Sequence, residues 1–260
     1  MKPSQPLALL AALVCGLTAC GGDEAPAAGG DDTLSGSLTV FAAASLTDVF
    51  TELGGRFESE HRNVEMTDYF NFGPSSGLAT QINEGAPADV FASANTTQME
   101  VAVAAGNAHG APAVFVENVL EIAVPAGNPA GITGLADFAN PDLTLAICAP
   151  EAPCGAAAQT VFQAAGITPS VDSLEEDVRA ALTKVELGEV DAALVYVTDV
   201  TAAGGSVEGI EFPEAEEAVN SYPIVALAAA PNPDAARAWI EFVLSDVGAA
   251  AFEEAGFRIP

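Results

Sequence analysis

Positive charge is nearly absent from this sequence. Its 260 residues hold seven Lys and Arg against 36 Asp and Glu, a formal net charge of −29. Nucleic acid is excluded as a partner, because phosphate backbones are held by basic side chains. The acids are scattered, and no D-x-D-x-D-G metal loop occurs among them. They read as a solvated surface that favours solubility, with a cationic ligand as the other reading. Histidine is limited to His61 and His109, neither near a cysteine pair in sequence, so a zinc site is not indicated. There is no P-loop to hydrolyse ATP. The apolar run Leu7–Val14 is too short for a membrane span.

Half of the residues are hydrophobic, much of that alanine, which describes a globular chain. The length suffices for two lobes with real cores. Met1-Lys2, the short apolar run and the small residues after it read as a secretory signal over residues 1–19. The run ends Leu17-Thr-Ala-Cys20, which resembles a bacterial lipobox and makes Cys20 the expected lipidation site. An ordinary signal with an incidental cysteine is the alternative. Residues 20–36, rich in Gly, Ala and Asp, read as a flexible tether. Cys15 would leave with the signal, so Cys148 and Cys154 would remain in an oxidising compartment, where a disulfide between them is the default.

Beyond the tether, short apolar runs alternate with helical patterns. Leu38–Phe41, Val64–Phe72, Asp89–Ser93, Val119–Val124, Leu143–Ile147 and Ala192–Tyr196 read as strands. Leu46, Val49, Phe50, Leu53 and Phe57 share one helical face behind Ser45, a good N-cap, with Asp48 in the first turn. Further helices are expected from Ser75 or Ser76 through Ile82, over Ala156–Ala165 with a stop at Gly166, around Val178–Val185, and around Ala236–Val243, where Trp239 reads as core. The alternation predicts an α/β fold with mostly parallel sheets. Ligands of such folds sit beyond the carboxyl ends of strands, at helix starts.

Three strand-to-helix junctions share one design: Phe41-Ala-Ala-Ala-Ser45-Leu46, Phe72-Gly-Pro-Ser75-Ser76-Gly77-Leu78 and Cys148-Ala-Pro-Glu-Ala-Pro-Cys154-Gly155. Each puts small residues at a helix start, where the first amides lack intrahelical partners and the dipole favours an anion. Any one of them alone reads as simple capping. Three facing one cleft would form a cage of neutral donors.

Phe41-Ala-Ala-Ala-Ser-Leu-Thr-Asp48, Pro74-Ser-Ser-Gly-Leu-Ala-Thr-Gln-Ile82 and Glu84-Gly-Ala-Pro-Ala-Asp-Val-Phe-Ala-Ser93, then Glu176-Asp-Val-Arg179, Leu194-Val-Tyr-Val-Thr-Asp199 and Tyr222-Pro223, resemble the periplasmic molybdate-binding proteins of ABC transporters. The resemblance runs from about Leu38 to the C-terminus. It implies a two-lobed class II periplasmic binding protein fold, α/β, with two crossover strands and the ligand in the interlobe cleft. Lobe 1 would combine residues 37–117 with 224–260, and lobe 2 would span 118–223, with crossings near Glu117–Leu120 and Tyr222–Ile224. It implies molybdate or tungstate as ligand, with no cofactor and no direct protein–molybdenum bond. Carried over by position, the ligand would be held by hydroxyl and amide of Ser45 and Ser75, the amides of Cys154 and Val178, and the hydroxyl of Tyr196. Ser76 stands in for Ser75 if the match slips by one. Many relatives lack the Cys148–Cys154 pair, which either stiffens a pocket wall or staples a loop. The implied partners are a membrane permease and its cytoplasmic ATPase, with a monomer anchored through Cys20 to the outer face of the cytoplasmic membrane. After loss of Lys2 the basic residues are Arg56, Arg62, Arg179, Lys184, Arg237 and Arg258, and none falls at an implied contact.

Three other readings stay open here. One is a binder of sulfate or another tetrahedral oxyanion. Another is a purely structural lipoprotein. The last is a serine hydrolase, since Gly73-Pro-Ser75-Ser-Gly77 satisfies G-x-S-x-G. Only His109 follows Ser75, too soon for the usual order of such a triad.

Overall fold

The computed structural model describes residues 34–260. The expected signal and Cys20 lie outside the described residues. Two five-stranded sheets organise the chain. The first is entered through β1 (Gly36–Ser37) and β2 (Val40–Ala43), followed by α1 (Thr47–Glu60), β3 (Val64–Glu65), β4 (Phe70–Gly73), α2 (Ser75–Asn83), β5 (Val90–Ala92), α3 (Thr96–Ala104) and the long β6 (Ala108–Asn118). The second holds β7 (Leu120–Pro125), β8 (Leu145–Cys148), α4 (Pro153–Ala165), β9 (Ser173–Glu175), α5 (Val178–Glu186), β10 (Ala192–Tyr196), α6 (Val197–Ala203) and β11 (Val207–Ile210). The chain then returns through β12 (Asn220–Leu227) to the first sheet and ends in α7 (Pro233–Val243) and α8 (Asp246–Glu254).

The strand orders are β4-β2-β5-β12-β6 and β11-β7-β10-β8-β9, and β1 and β3 form a separate parallel pair. The sheets are mixed rather than mostly parallel. The β2 pairs with β4 and β5 are parallel, as are the β8 pairs with β9 and β10. The pairs of β12 and of β7 are antiparallel. The cause is topological: a chain that leaves one lobe along β6 and re-enters along β12 must run in opposite directions in neighbouring strands. Asn118, at the end of β6, faces Asn220, at the start of β12. Both crossings therefore lie side by side, and Tyr222 and Pro223 already sit within the first sheet.

Period-two alternation gives the first sheet two cores. Val40, Ala42, Val90, Ala92 and Ile224 face α1, α7 and α8, while Phe41, Phe91, Val225 and Leu227 face α2 and α3. Trp239 is fully buried, with its ring edge-on to Phe50 and Phe57 at 5.5 Å each. The second sheet has one continuous core that includes Phe138, Phe162, Leu182 and Leu194.

Two local expectations are corrected. Val64–Phe72 is not one strand: a 3-10 turn at Thr67–Tyr69 separates β3 from β4. The Glu58 carboxylate holds that bend by accepting from the amides of Met66 and Thr67 at 2.6 and 2.8 Å. Ser45 does not cap α1 either. A 3-10 turn over Ala44–Leu46 precedes the helix, Leu46 stands at its N-cap, and no side chain caps it.

Helix α4 starts earlier than its apolar pattern suggested, with Pro153 at its first position, and ends at Gly166 with φ 68°. Cys148 and Cys154 are disulfide-bonded, with Cα atoms 5.7 Å apart. Gly155, one residue on, packs so closely that a Cβ would lie 1.9 Å from the Ala149 carbonyl oxygen. Only glycine lets the helix start approach the loop that feeds it. Gly55 in α1, by contrast, has nothing within 4 Å of a built Cβ. The same substitution should therefore have opposite signs. Gly155→Ala is expected to destabilise by about 1–3 kcal/mol through overpacking. Gly55→Ala should stabilise by roughly 0.5–1 kcal/mol. Urea unfolding of both variants checks this, and equal effects would contradict the packing described.

Candidate functional site

The helix starts α2, α4 and α5 and the Ala44–Leu46 turn converge on one small cavity between the lobes. Ser45, Ser75, Cys154, Val178 and Tyr196 all line it. Ser75 is buried at the first position of α2, whereas Ser76 is not among the lining residues. Cys154 is the second residue of α4 and Val178 the first of α5, so their amides have no acceptor inside their own helices. Small residues (Ala43, Ala44, Gly73, Ala94 and Ala152) complete much of the wall. They leave backbone amides open to close approach.

Side-chain capping varies among the helix starts. α3, α7 and α8 are capped by the side chains of Asn95, Asn232 and Ser245. The starts of the Ala44–Leu46 turn, α2 and α4 have no side-chain cap. At α5 the cap is Asp177, whose carboxylate accepts from Ala180 N at 2.9 Å and leaves the Val178 amide free of it. Asp177 is the one ionisable acid or base at the wall besides Tyr196.

The hydroxyls have a defined polarity. Ser75 Oγ accepts from the Ala94 amide at 3.0 Å. Tyr196 Oη accepts from Asn220 Nδ2 at 2.6 Å. Ser45 Oγ lies 2.9 Å from Tyr222 Oη. An oxygen that already accepts a bond turns its own proton elsewhere: for Ser75 the cavity remains, and for Tyr196 the cavity and the neighbouring Tyr222 hydroxyl. Burial pushes the Tyr196 hydroxyl well above its ordinary pKa, with Tyr222 and Asp199 nearby adding to the rise, so it stays a protonated donor. The arrangement is a set of neutral donors suited to a small, fully deprotonated oxyanion.

Arg179, beside Val178, points away from this cavity. It ion-pairs with Asp48 of α1 across the cleft, and its Nε lies 3.3 Å from Asp199 Oδ1 without hydrogen-bond geometry. Gln98 Nε2 also crosses the cleft, donating to the Glu151 carbonyl at 3.2 Å. The hydrolase reading finds no base here: His109 lies on β6 in a groove with Ile224 and Arg237, not at Ser75. Among the described residues, no group of His, Cys, Asp or Glu is arranged to hold a metal ion.

Asp199 is fully buried, and its acid is raised to about 7, chiefly by loss of water and only partly offset by Arg179 and the Tyr196 amide. A carboxyl that holds its proton more tightly folded than unfolded stabilises the fold as pH falls below about 7. That contribution is lost as pH rises through 7. The slope from one such group is at most about 1.4 kcal/mol per pH unit. Asp199→Asn should therefore flatten the fall in stability between the ordinary carboxylate pKa of 3.8 and about 7, read by urea unfolding. An unchanged slope would mean that Asp199 titrates as an ordinary carboxylate.

Comparison with known proteins bears on this geometry. Residues 38–258 match the family of bacterial extracellular solute-binding proteins. The chain is 40% identical over 251 residues to the molybdate-binding protein ModA of Mycobacterium tuberculosis, covering 96% of this chain and 95% of that one. Among solved structures it superimposes on the periplasmic molybdate-binding protein of Azotobacter vinelandii with a TM-score of 0.74 at 20% identity, over 86% of this chain and 99% of that one. The sulfate-binding protein SubI of M. tuberculosis also gives a TM-score of 0.74, at 18% identity, over 86% of each chain. At such identities the two structures share the fold alone, which does not distinguish one anion from another. Matched along nearly its whole described length, the chain belongs to the family of bacterial extracellular solute-binding proteins.

Proposed function

We propose that this chain captures molybdate, or tungstate, outside the cytoplasmic membrane and delivers it to an ABC importer. The observation that carries this reading is the convergence of Ser45, Ser75, Cys154, Val178 and Tyr196 on one cavity whose ligand-facing groups are neutral donors. The near-full-length relative named for molybdate supports the choice of anion. Ser45 and Ser75 donate through hydroxyl and amide, Cys154 and Val178 through amides, and Tyr196 through its hydroxyl. Lobe 1, residues 37–117 with 224–260, and lobe 2, residues 118–223, would close as a hinge about the paired crossings, with Arg179–Asp48 joining them at the rim.

Selectivity follows from the donors. Hydrogen phosphate keeps a proton for which the five donor residues offer no acceptor, and the Asp177 carboxylate at the wall is already engaged by the Ala180 amide. Sulfate keeps none near neutral pH, so only its smaller size counts against it. A cytoplasmic ATPase and a membrane permease would complete transport, because the sequence carries no P-loop to hydrolyse ATP. Anchoring through Cys20 fits the lipobox-like segment. Mass spectrometry of the membrane fraction should find Cys20 acylated at the mature N-terminus, and a bare N-terminus elsewhere would remove the anchor.

A hydrogen bond to a charged partner contributes about 1.5–3 kcal/mol. Ser45→Ala or Ser75→Ala should therefore weaken molybdate binding about 10- to 150-fold, at roughly 1.4 kcal/mol per factor of ten. Arg179→Ala should do much less, since Arg179 touches Asp48 and Asp199 rather than the cavity. Calorimetry against molybdate, tungstate, sulfate and phosphate decides this. Loss of binding on removing Arg179, with both serine variants intact, would overturn the neutral-donor reading.

A further inference from the structure

Ser45 differs from the other two hydroxyls of the cavity. Ser75 accepts from a backbone amide, and an amide can only donate. Tyr196 accepts from the Asn220 side-chain amide. Ser45 instead faces another hydroxyl, that of Tyr222, and either oxygen of such a pair can be the donor. The direction of that one bond decides whether Ser45 presents a proton or a lone pair to the cavity.

Asn118 favours one direction. Its Oδ1 accepts from the Val119 amide at 3.0 Å, and its Nδ2 donates to Thr198 Oγ1 at 2.8 Å. Those two bonds fix which end of the side-chain amide is which. The nitrogen, a donor only, is then the end that faces Tyr222 Oη, at 3.5 Å. With that donor on one side, the Tyr222 oxygen turns its own proton to a neighbouring hydroxyl; Ser45 Oγ lies at 2.9 Å, and Tyr196, the other hydroxyl beside it, already accepts from Asn220. Burial raises the Tyr222 hydroxyl above its ordinary pKa, with Ser45, Asn118 and Tyr196 only partly offsetting the rise, so that proton is retained. Tyr222 is fully buried and does not line the cavity, so it acts through Ser45 rather than on the anion. Asn118 and Tyr222 lie on β6 and β12, the two strands that carry the chain between lobes, and Thr198 lies on α6 of the second sheet's lobe.

We propose that Tyr222, oriented by Asn118, is a specificity-determining positioning residue that fixes Ser45 as a donor and so makes the cavity reject oxyanions that carry a proton. The inference rests on the oxyanion-binding reading above and deepens it. Without the Tyr222 proton, Ser45 can rotate, and its oxygen can accept a hydrogen bond from a protonated ligand. Selectivity against hydrogen phosphate would then be set partly at the hinge, by a residue that never meets the ligand.

The test is a double-mutant cycle on the mature protein, with Tyr222→Phe, Ser45→Ala and the pair. Binding of sodium molybdate, sulfate and phosphate is measured at pH 8, with phosphate read by competition against molybdate. Thermal unfolding verifies that each variant folds. Tyr222→Phe should weaken molybdate and sulfate in parallel by about 3- to 10-fold, the range for one neutral hydrogen bond. Phosphate should gain relative to both. In the Ser45→Ala background, adding Tyr222→Phe should cause no further loss of molybdate. Parallel loss of all three anions, phosphate that competes no better with Tyr222→Phe than with wild type, or fully additive losses in the cycle would each overturn the proposal. Failure of the wild-type protein to bind molybdate would instead overturn the underlying functional reading.

Discussion

A doubly charged anion gives up strong hydration when it enters a protein, and no basic side chain among the described residues lines this cavity. Burying an uncompensated charge costs many kcal/mol, far more than one hydrogen bond returns. Several donors must therefore be aimed at one point before the ligand arrives. The structure meets this constraint by leaving helix starts uncapped. At α3, α7 and α8 a side chain satisfies the first amides. At α2 and α4 none does, and both open onto the cavity, whereas α5, which also opens there, keeps its Asp177 cap on Ala180 and leaves the Val178 amide free of it. On the proposed reading, the ligand takes the place of the cap. Other features follow from the same need: Gly155 lets α4 reach its position, the Cys148–Cys154 bond ties the loop before it to β8, and alanines keep the walls low.

The overall charge of the molecule points the other way and does not prevent this. A net charge of −29 repels anions at long range, but salt screens exposed charges beyond about 8–10 Å. Within the cavity, the short contacts decide. The basic side chain nearest in sequence to a donor, Arg179, is occupied by Asp48 and Asp199. It joins the lobes at the rim of the cleft through Asp48, with the buried Asp199 carboxyl beside its Nε.

Much of this was legible in the sequence, for identifiable reasons. The three small-residue junctions were visible because glycine, alanine and serine at a strand-to-helix boundary are an unusual local choice, and all three open on the cavity. Helix α1 and the core role of Trp239 were legible because their apolar periodicity is strong. Helices α3 and α8 were missed because alanine and valine occur all around them, so no face stands out. Strand β6 was missed because Gly110 and Pro112 break its pattern, which an edge strand tolerates. The capping role read for Ser45 failed because a 3-10 turn intervenes before α1, a backbone choice that residue type does not reveal. The roles of Asn118, Asn220 and Tyr222 were illegible, since they depend on contacts 24 to 177 residues apart in sequence. Only the Tyr222-Pro223 dipeptide marked that region.

The most direct measurement is a crystal structure of the mature protein with tungstate, whose heavy atom locates the anion without ambiguity. Its oxygens should lie within about 2.6–3.1 Å of Ser45 Oγ, Ser75 Oγ, Tyr196 Oη and the amides at Cys154 and Val178, the distances of hydrogen bonds to a charged acceptor. No basic side chain should touch it. An Arg179 guanidinium swung onto the anion, or a metal ion bound beside it, would contradict recognition by neutral donors.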